Sequence, residues 1–183
     1  MNGVFSPLWA LPALLGCYVA FAWAIRSHFS RPQGMPPRMR LLAAAGGIGG
    51  GLHVGFTAFA PAVHWLVLAA ALLLYALSAG LFAWAVSATR EQRLSIAYSN
   101  DEPTALLQSG PYARIRHPFY TAYILFWFAG AVLNQSALLT GFAIAITYLY
   151  FEAARLEEAK FASSQLAQAY RAYQSKSGLF WPK

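Results

Sequence analysis

Five stretches of this chain carry almost no charge, and their length rules out water as the solvent for most of the fold. Residues 5–25 hold no charged side chain in 21 positions, and 41–60 and 62–86 are similarly clean. As helices, each can cross the roughly 30 Å of hydrocarbon in a bilayer. Residues 119–133 and 137–151 offer only 15 positions each. They read as marginal spans that run past the membrane surface or sit as a hairpin sealed against the longer helices. Glycine and proline inside the first two stretches do not veto a helix, because glycine is common where membrane helices pack closely. No basic residue precedes the first stretch and its apolar run is too long for a cleavable signal peptide, so it is expected to remain as a span.

The distribution of charge sharpens this reading. Arg26, Arg31, Arg38 and Arg40 lie between the first and second stretches, and Arg90, Arg93, Arg114 and Arg116 between the third and fourth. Arg155, Lys160, Arg171, Lys176 and Lys183 follow the fifth, which accounts for all 13 basic residues. Five spans therefore put every basic residue on one side. By the positive-inside rule that side is cytoplasmic, with the N-terminus outside and the C-terminus inside. A net charge of +7 suits a nucleic-acid binder as well, but such a protein has no reason to sort its charge in this way. Charged residues make up 10% of the chain, against the quarter or so typical of soluble domains. The single cysteine, Cys17, cannot form an intramolecular disulfide. The expectation is an all-α integral membrane protein with five transmembrane helices and one membrane domain over 1–183. Within it, 1–88 reads as a scaffold and 89–183 as a catalytic region. A bacterial inner membrane is the expected location, with the lipid bilayer as partner and no nucleic acid.

The polar material falls in three pieces. Residues 27–40 read as a solvated loop against anionic headgroups. Residues 89–117 hold the turn-forming Asn100–Asp101–Glu102–Pro103. Beyond residue 151, Leu156, Phe161, Leu166, Ala169, Tyr170 and Tyr173 recur at approximately helical spacing, which suggests an amphipathic helix lying back on the protein or the membrane. The glycine cluster at 46–51 lacks a preceding strand and a GKS or GKT ending, so close helix packing explains it better than a nucleotide loop. His53 and His64 flank the predicted external turn. They read as interfacial hydrogen-bonding residues, because no Cys, Asp or Glu lies near to complete a metal site.

Two groups of residues carry chemistry. One is GPYARIRHPFYTAY (110–123), with two arginines and a histidine directly ahead of a proline and an apolar run. The other is Arg155-Leu-Glu157-Glu158, just past the last span. The short turn Asn134–Gln135–Ser136 folds the last two spans into an antiparallel hairpin, so both groups meet at the cytoplasmic surface. They read either as headgroup anchors and an aromatic belt with paired glutamates, or as a functional site, the default for charges converging at a membrane boundary.

The ordered set Gly110-Pro111-Tyr112, Arg116-His117-Pro118-Phe119-Tyr120, Glu157-Glu158, Tyr170-x-x-Tyr173 and Phe180-Trp-Pro182 closely resembles the isoprenylcysteine carboxyl methyltransferase family and the related membrane phospholipid methyltransferases. The resemblance covers 104–182, less than half of the chain. It implies a cytoplasmic pocket for S-adenosylmethionine, capped by the C-terminal helix, and a lipophilic methyl acceptor. Thr104, Ala105, Leu106 and Leu107 would supply main-chain contacts to that cofactor and Tyr112 a ring. His117, Pro118, Phe119 and Tyr120 would form its wall, and Glu158 would hold its amino-acid end. Arg116, Arg155 and Glu157 are the candidate catalytic residues. No metal is implied.

One departure bears on the acceptor. In the prenylcysteine enzymes an arginine four residues ahead of the cofactor-holding glutamate is assigned to the acceptor's carboxylate; here that position is Ala154, with Arg155 about 100° around the helix. Two other readings stay open. Sterol-type reductases carry a related C-terminal module and a nicotinamide cofactor, although Phe119 stands where that group has Asn. A non-catalytic membrane subunit would keep the fold without the activity.

Overall fold

A computed structural model of the protein describes residues 3–30, 34–91, 94–99, 101, 103 and 105–183. The chain runs through α1 (Leu11–Trp23), α2 (Pro37–Phe59), α3 (Trp65–Ala88), α4 (Pro118–Asn134), α5 (Ala137–Ala162) and α6 (Ala167–Lys176). A 3-10 turn, Pro7–Ala10, leads into α1, and a π turn, Ala24–His28, extends it. Among the described residues four helical stretches are long and apolar enough to cross a membrane: Pro7–His28, Pro37–Phe59, Trp65–Ala88 and Ala137–Ala162. α4, with 17 residues, is the short one. The fifth stretch is therefore not marginal. α5 runs 26 residues without a break, carrying the helix past the apolar part and through Glu157 and Glu158.

Local chemistry sets the boundaries. Proline occupies the first position of α2 and α4, where its missing N–H costs nothing. Ser136 caps α5 through Leu139 N at 3.4 Å, after Gln135 turns the chain at φ 47°. The amphipathic stretch after residue 151 is not one helix. It breaks at Ser163 and Ser164, whose hydroxyls bond back to the carbonyls of Ala159 and Phe161 at 3.2 and 2.9 Å. α6 then folds back so that Phe161 of α5 stacks on Tyr170 of α6, with ring centres 4.5 Å apart.

Helix packing uses small residues to admit rings. A methyl group at Gly49 would meet the Phe142 ring at 2.2 Å, and one at Gly50 the Tyr18 ring at 2.4 Å, so these two cluster glycines seat side chains of α5 and α1. His53 is fully buried in α2 rather than interfacial. Its ring lies between the carbonyls of Gly49 and Trp127, at 2.9 and 3.3 Å, and ties α2 to α4. His64 instead caps α3, accepting from Leu66 N at 3.3 Å.

The fold is not purely helical. At one end, β1 (Val4–Phe5) pairs antiparallel with β2 (Val63–His64), and on the α2–α4 side Asn134 Nδ2 donates to Thr57 Oγ1 at 3.1 Å. At the other end, the segment after α1 pairs with the α3–α4 loop through Ser30 and Ser95, and Ile115 pairs with Gly178. The arginine knot, the two glutamates and α6 share this second end.

Candidate active site

The knot starts at a 3-10 turn, Gly110–Ala113. Gly110 sits at φ 59°, and a Cβ there would lie 2.9 Å from that of Ala88. Only glycine meets both demands cheaply. The turn aims Tyr112 inward, where it is 5% exposed. Its carbonyl accepts from the Tyr173 hydroxyl at 2.6 Å, which locks α6 onto the knot. Past the turn, Arg114 to His117 take 178–180 as a strap, pairing through a bridge between Ile115 and Gly178. Gly178 N donates to Arg114 O at 2.9 Å, Arg116 N to Gly178 O at 2.9 Å, and His117 N to Leu179 O at 3.1 Å. Thr121 Oγ1 adds a bond to Phe180 O at 2.8 Å.

The knot and the acidic pair meet. Arg116 Nε lies 2.6 Å from Glu158 Oε1, and a second guanidinium nitrogen of Arg116 donates to the Ser177 carbonyl. Gln174 Nε2 holds the other Glu158 oxygen at 3.1 Å. His117 lies between the glutamates, with Nδ1 3.5 Å from Glu157 Oε2 and Nε2 3.5 Å from Glu158 Oε1. These are ion-pair distances rather than short hydrogen bonds. Tyr120 donates its hydroxyl to Glu157 Oε1 at 2.5 Å, and its ring is stacked between His117 and Tyr150 at 5.5 and 5.4 Å.

Charge state follows from this geometry. Burial opposes the His117 imidazolium, but Glu157 and Glu158 outweigh it and raise the pKa above the ordinary 6.5. A raised folded value means that the imidazolium's contribution to stability is fully present below the unfolded value. It is lost as the pH climbs through the folded one. The melting temperature in detergent should therefore fall as the pH is raised from about 6.5. His117→Asn should flatten that dependence, and an unchanged slope in the variant would show that the imidazolium is not its source.

Behind this cluster lies a cavity of about 590 Å³. Its polar end is lined by Tyr112, Arg116, His117, Tyr120, Glu157 and Lys160, and Tyr170 and Tyr173 close it from α6. Ala105, Leu106 and Leu107 line it, as does Phe119. Thr104 lies outside the described residues. Glu158 and Pro118 are not among the lining residues described, and Arg155 is not brought to the cluster either. Arg155 is exposed, its guanidinium 5.8 Å from the centre of the Phe151 ring. Ala154 is fully buried.

The comparisons with known proteins follow this division. The family model described as phospholipid methyltransferase matches residues 66–169, more than half of the chain. The chain belongs to the phospholipid methyltransferase family. No curated protein matches it. The match makes the chain a membrane methyltransferase by family and extends upstream of the sequence resemblance to include α3. It covers the knot, α4, α5 and both glutamates of this methyltransferase. It leaves out α1, α2 and the strap.

Those unmatched parts hold what the sequence reading missed. Phe21, Ile25 and Phe29 from α1 and its extension, and Met39, Leu42 and Gly46 from α2, make the apolar wall of the cavity. In the sequence they look like any lipid-facing residues. The strap left one trace, the Phe180-Trp-Pro182 ending, and Gln174 and Ser177 left none.

Proposed function

We propose that this protein is an S-adenosylmethionine-dependent methyltransferase whose acceptor is lipophilic and reaches the site from the bilayer. The observation that carries this reading is one continuous cavity that joins the charged, ring-rich end of the bundle to an apolar wall built from α1, α2 and Trp127 of α4. Its volume lies within the range of sites for one or two small ligands.

The lining fits the proposed donor. Tyr112 Oη and Asp101 Oδ2 are buried and lack a hydrogen-bond partner among the described residues, and both residues line this cavity. A buried polar atom left in that state is costly, and a zwitterionic nucleoside would relieve both. Asp101 would take the ammonium, and Tyr112 with the other rings would take the adenine and face the cation. Lys160 or Arg116 would meet the carboxylate. Bound there, the cofactor supplies a methyl group on a sulfonium, ready for in-line displacement. The protein contributes positioning and exclusion of water. Glu158, occupied by Arg116 and Gln174, acts in this reading as the clamp that shapes the wall.

The test is calorimetry on purified protein in detergent, with S-adenosylhomocysteine against NADPH. Binding of S-adenosylhomocysteine alone is expected; binding of NADPH alone would favour a reductase, and binding of neither a non-catalytic subunit. The reading also includes five spans with the polar end in the cytoplasm. A cysteine placed at Ser6 should be labelled only from outside, and one at Ser175 only from inside. Labelling of both from one side would overturn the topology.

A further inference from the structure

The two adjacent glutamates are engaged in opposite ways, and that difference bears on what the enzyme methylates. The Glu158 side chain is 17% exposed and holds Arg116 and Gln174. The Glu157 side chain is 31% exposed and lines the cavity. Among the described residues only the Tyr120 hydroxyl bonds it closely, on Oε1, and Oε2 has His117 at 3.5 Å and acceptor capacity to spare. Resting on the methyltransferase reading above, we propose that Glu157 is the proton acceptor of the reaction, and that the attacking atom of the acceptor is a protonated thiol, hydroxyl or amine rather than an ionised carboxylate.

Three observations converge. The first is rigidity. Tyr120, clamped between the rings of His117 and Tyr150, fixes the direction of the Glu157 carboxylate and serves as its positioning residue. The second is the lack of a competing base among the described groups that face Glu157. These are His117, Tyr120, Tyr112, Tyr98 and, on its own helix, Glu158. His117 has both ring nitrogens toward the two carboxylates, which favour its imidazolium form, burial disfavours ionisation of the Tyr112 phenol, and Glu158 is tied to Arg116. The third is the acceptor's own charge. A carboxylate brought into a low-dielectric cleft needs a fixed cation. Of the cations that line the cavity, Arg116 is held by Glu158 and the Ser177 carbonyl and Lys160 by the Ser99 carbonyl, and the carboxylate of the cofactor would draw on them first, while Ala154 is buried and Arg155 faces away. Glu157 in the wall would repel a carboxylate as well.

The step balances. The acceptor atom forms a bond to the methyl carbon as the carbon–sulfur bond breaks, and the electron pair of that bond stays on sulfur as a neutral thioether. The proton of the acceptor passes to Glu157 Oε2.

The test compares two apolar thiols of similar size on purified protein: a thiophenol, largely ionised near neutral pH, and an alkanethiol, which is not. Glu157→Gln should leave S-adenosylhomocysteine affinity within about twofold while lowering alkanethiol methylation by about 10²–10⁴-fold. Thiophenol methylation should suffer far less, and Glu157→Asp should restore part of the alkanethiol rate. Equal losses on both thiols, or no loss on either, would overturn the proton-acceptor role. Turnover of a farnesylcysteine carboxylate but of neither thiol would overturn it too. Failure of the unmodified protein to bind S-adenosylhomocysteine would instead overturn the underlying methyltransferase reading, and this proposal with it.

Discussion

Replacing Arg116 by alanine should destabilise the protein by about 3–5 kcal/mol, because it strips the partner from a largely desolvated carboxylate. The Arg116 and Glu158 side chains are 12% and 17% exposed, so solvent screens the pair little. The same guanidinium holds the Ser177 carbonyl, so its loss also loosens the strap. Two measurements check this. The melting temperature in detergent should drop by on the order of 10 °C, and trypsin should cut after the exposed Lys176 much faster than in the parent. Arg116→Lys should not restore either property, since an ammonium cannot bond in two fixed directions as the guanidinium fork does. Unchanged protease resistance in Arg116→Ala would show that the backbone pairing alone secures the strap.

Gly130→Ala is the second large effect, and it acts at mid-bundle. A Cβ at Gly130 would sit 1.8 Å from His53 Cδ2 and 2.5 Å from Nε2, so the ring must leave its place. Overpacking of this kind costs about 1–3 kcal/mol, and the displaced ring gives up its contact with the Trp127 carbonyl. The diagnostic is non-additivity. His53→Ala should destabilise on its own, yet in the Gly130→Ala background it should raise the melting temperature, because it removes the clash. Additive losses would show that α2 and α4 simply move apart.

The bilayer made much of this architecture readable in advance. A helix in hydrocarbon must be long and uncharged, so each apolar stretch coincides with one of the first five helices. The short Asn134–Ser136 turn sufficed to predict that the knot and the acidic pair meet. What escaped has physical causes. The continuation of α5 past the apolar stretch was expected, but its break at Ser163 and Ser164 was hidden, because two serines bonding back to the preceding turn leave no mark in the hydrophobic spacing. His53 looked interfacial because polarity alone does not reveal two carbonyls buried opposite it. The different partners of Glu157 and Glu158 depend on which face of α5 meets the strap, and Gln174 and Ser177 belong to no pattern that marks them as partners. The cavity-lining residues Phe21, Met39 and Leu42 of α1 and α2 are apolar, and would look the same in the sequence if they faced lipid.

The strap also sets an order of events during synthesis. Arg116 and the Ser177 carbonyl it holds are 61 positions apart. The knot therefore leaves the ribosome well before Glu158, Gln174 and Ser177 exist to receive it, and in the five-span arrangement proposed above α4 inserts with Arg116 and His117 facing headgroups and water. Insertion of the first five helices and completion of the pocket are thus separate stages. A chain halted before residue 177 would reside in the membrane with its helices in place and its binding chamber unsealed.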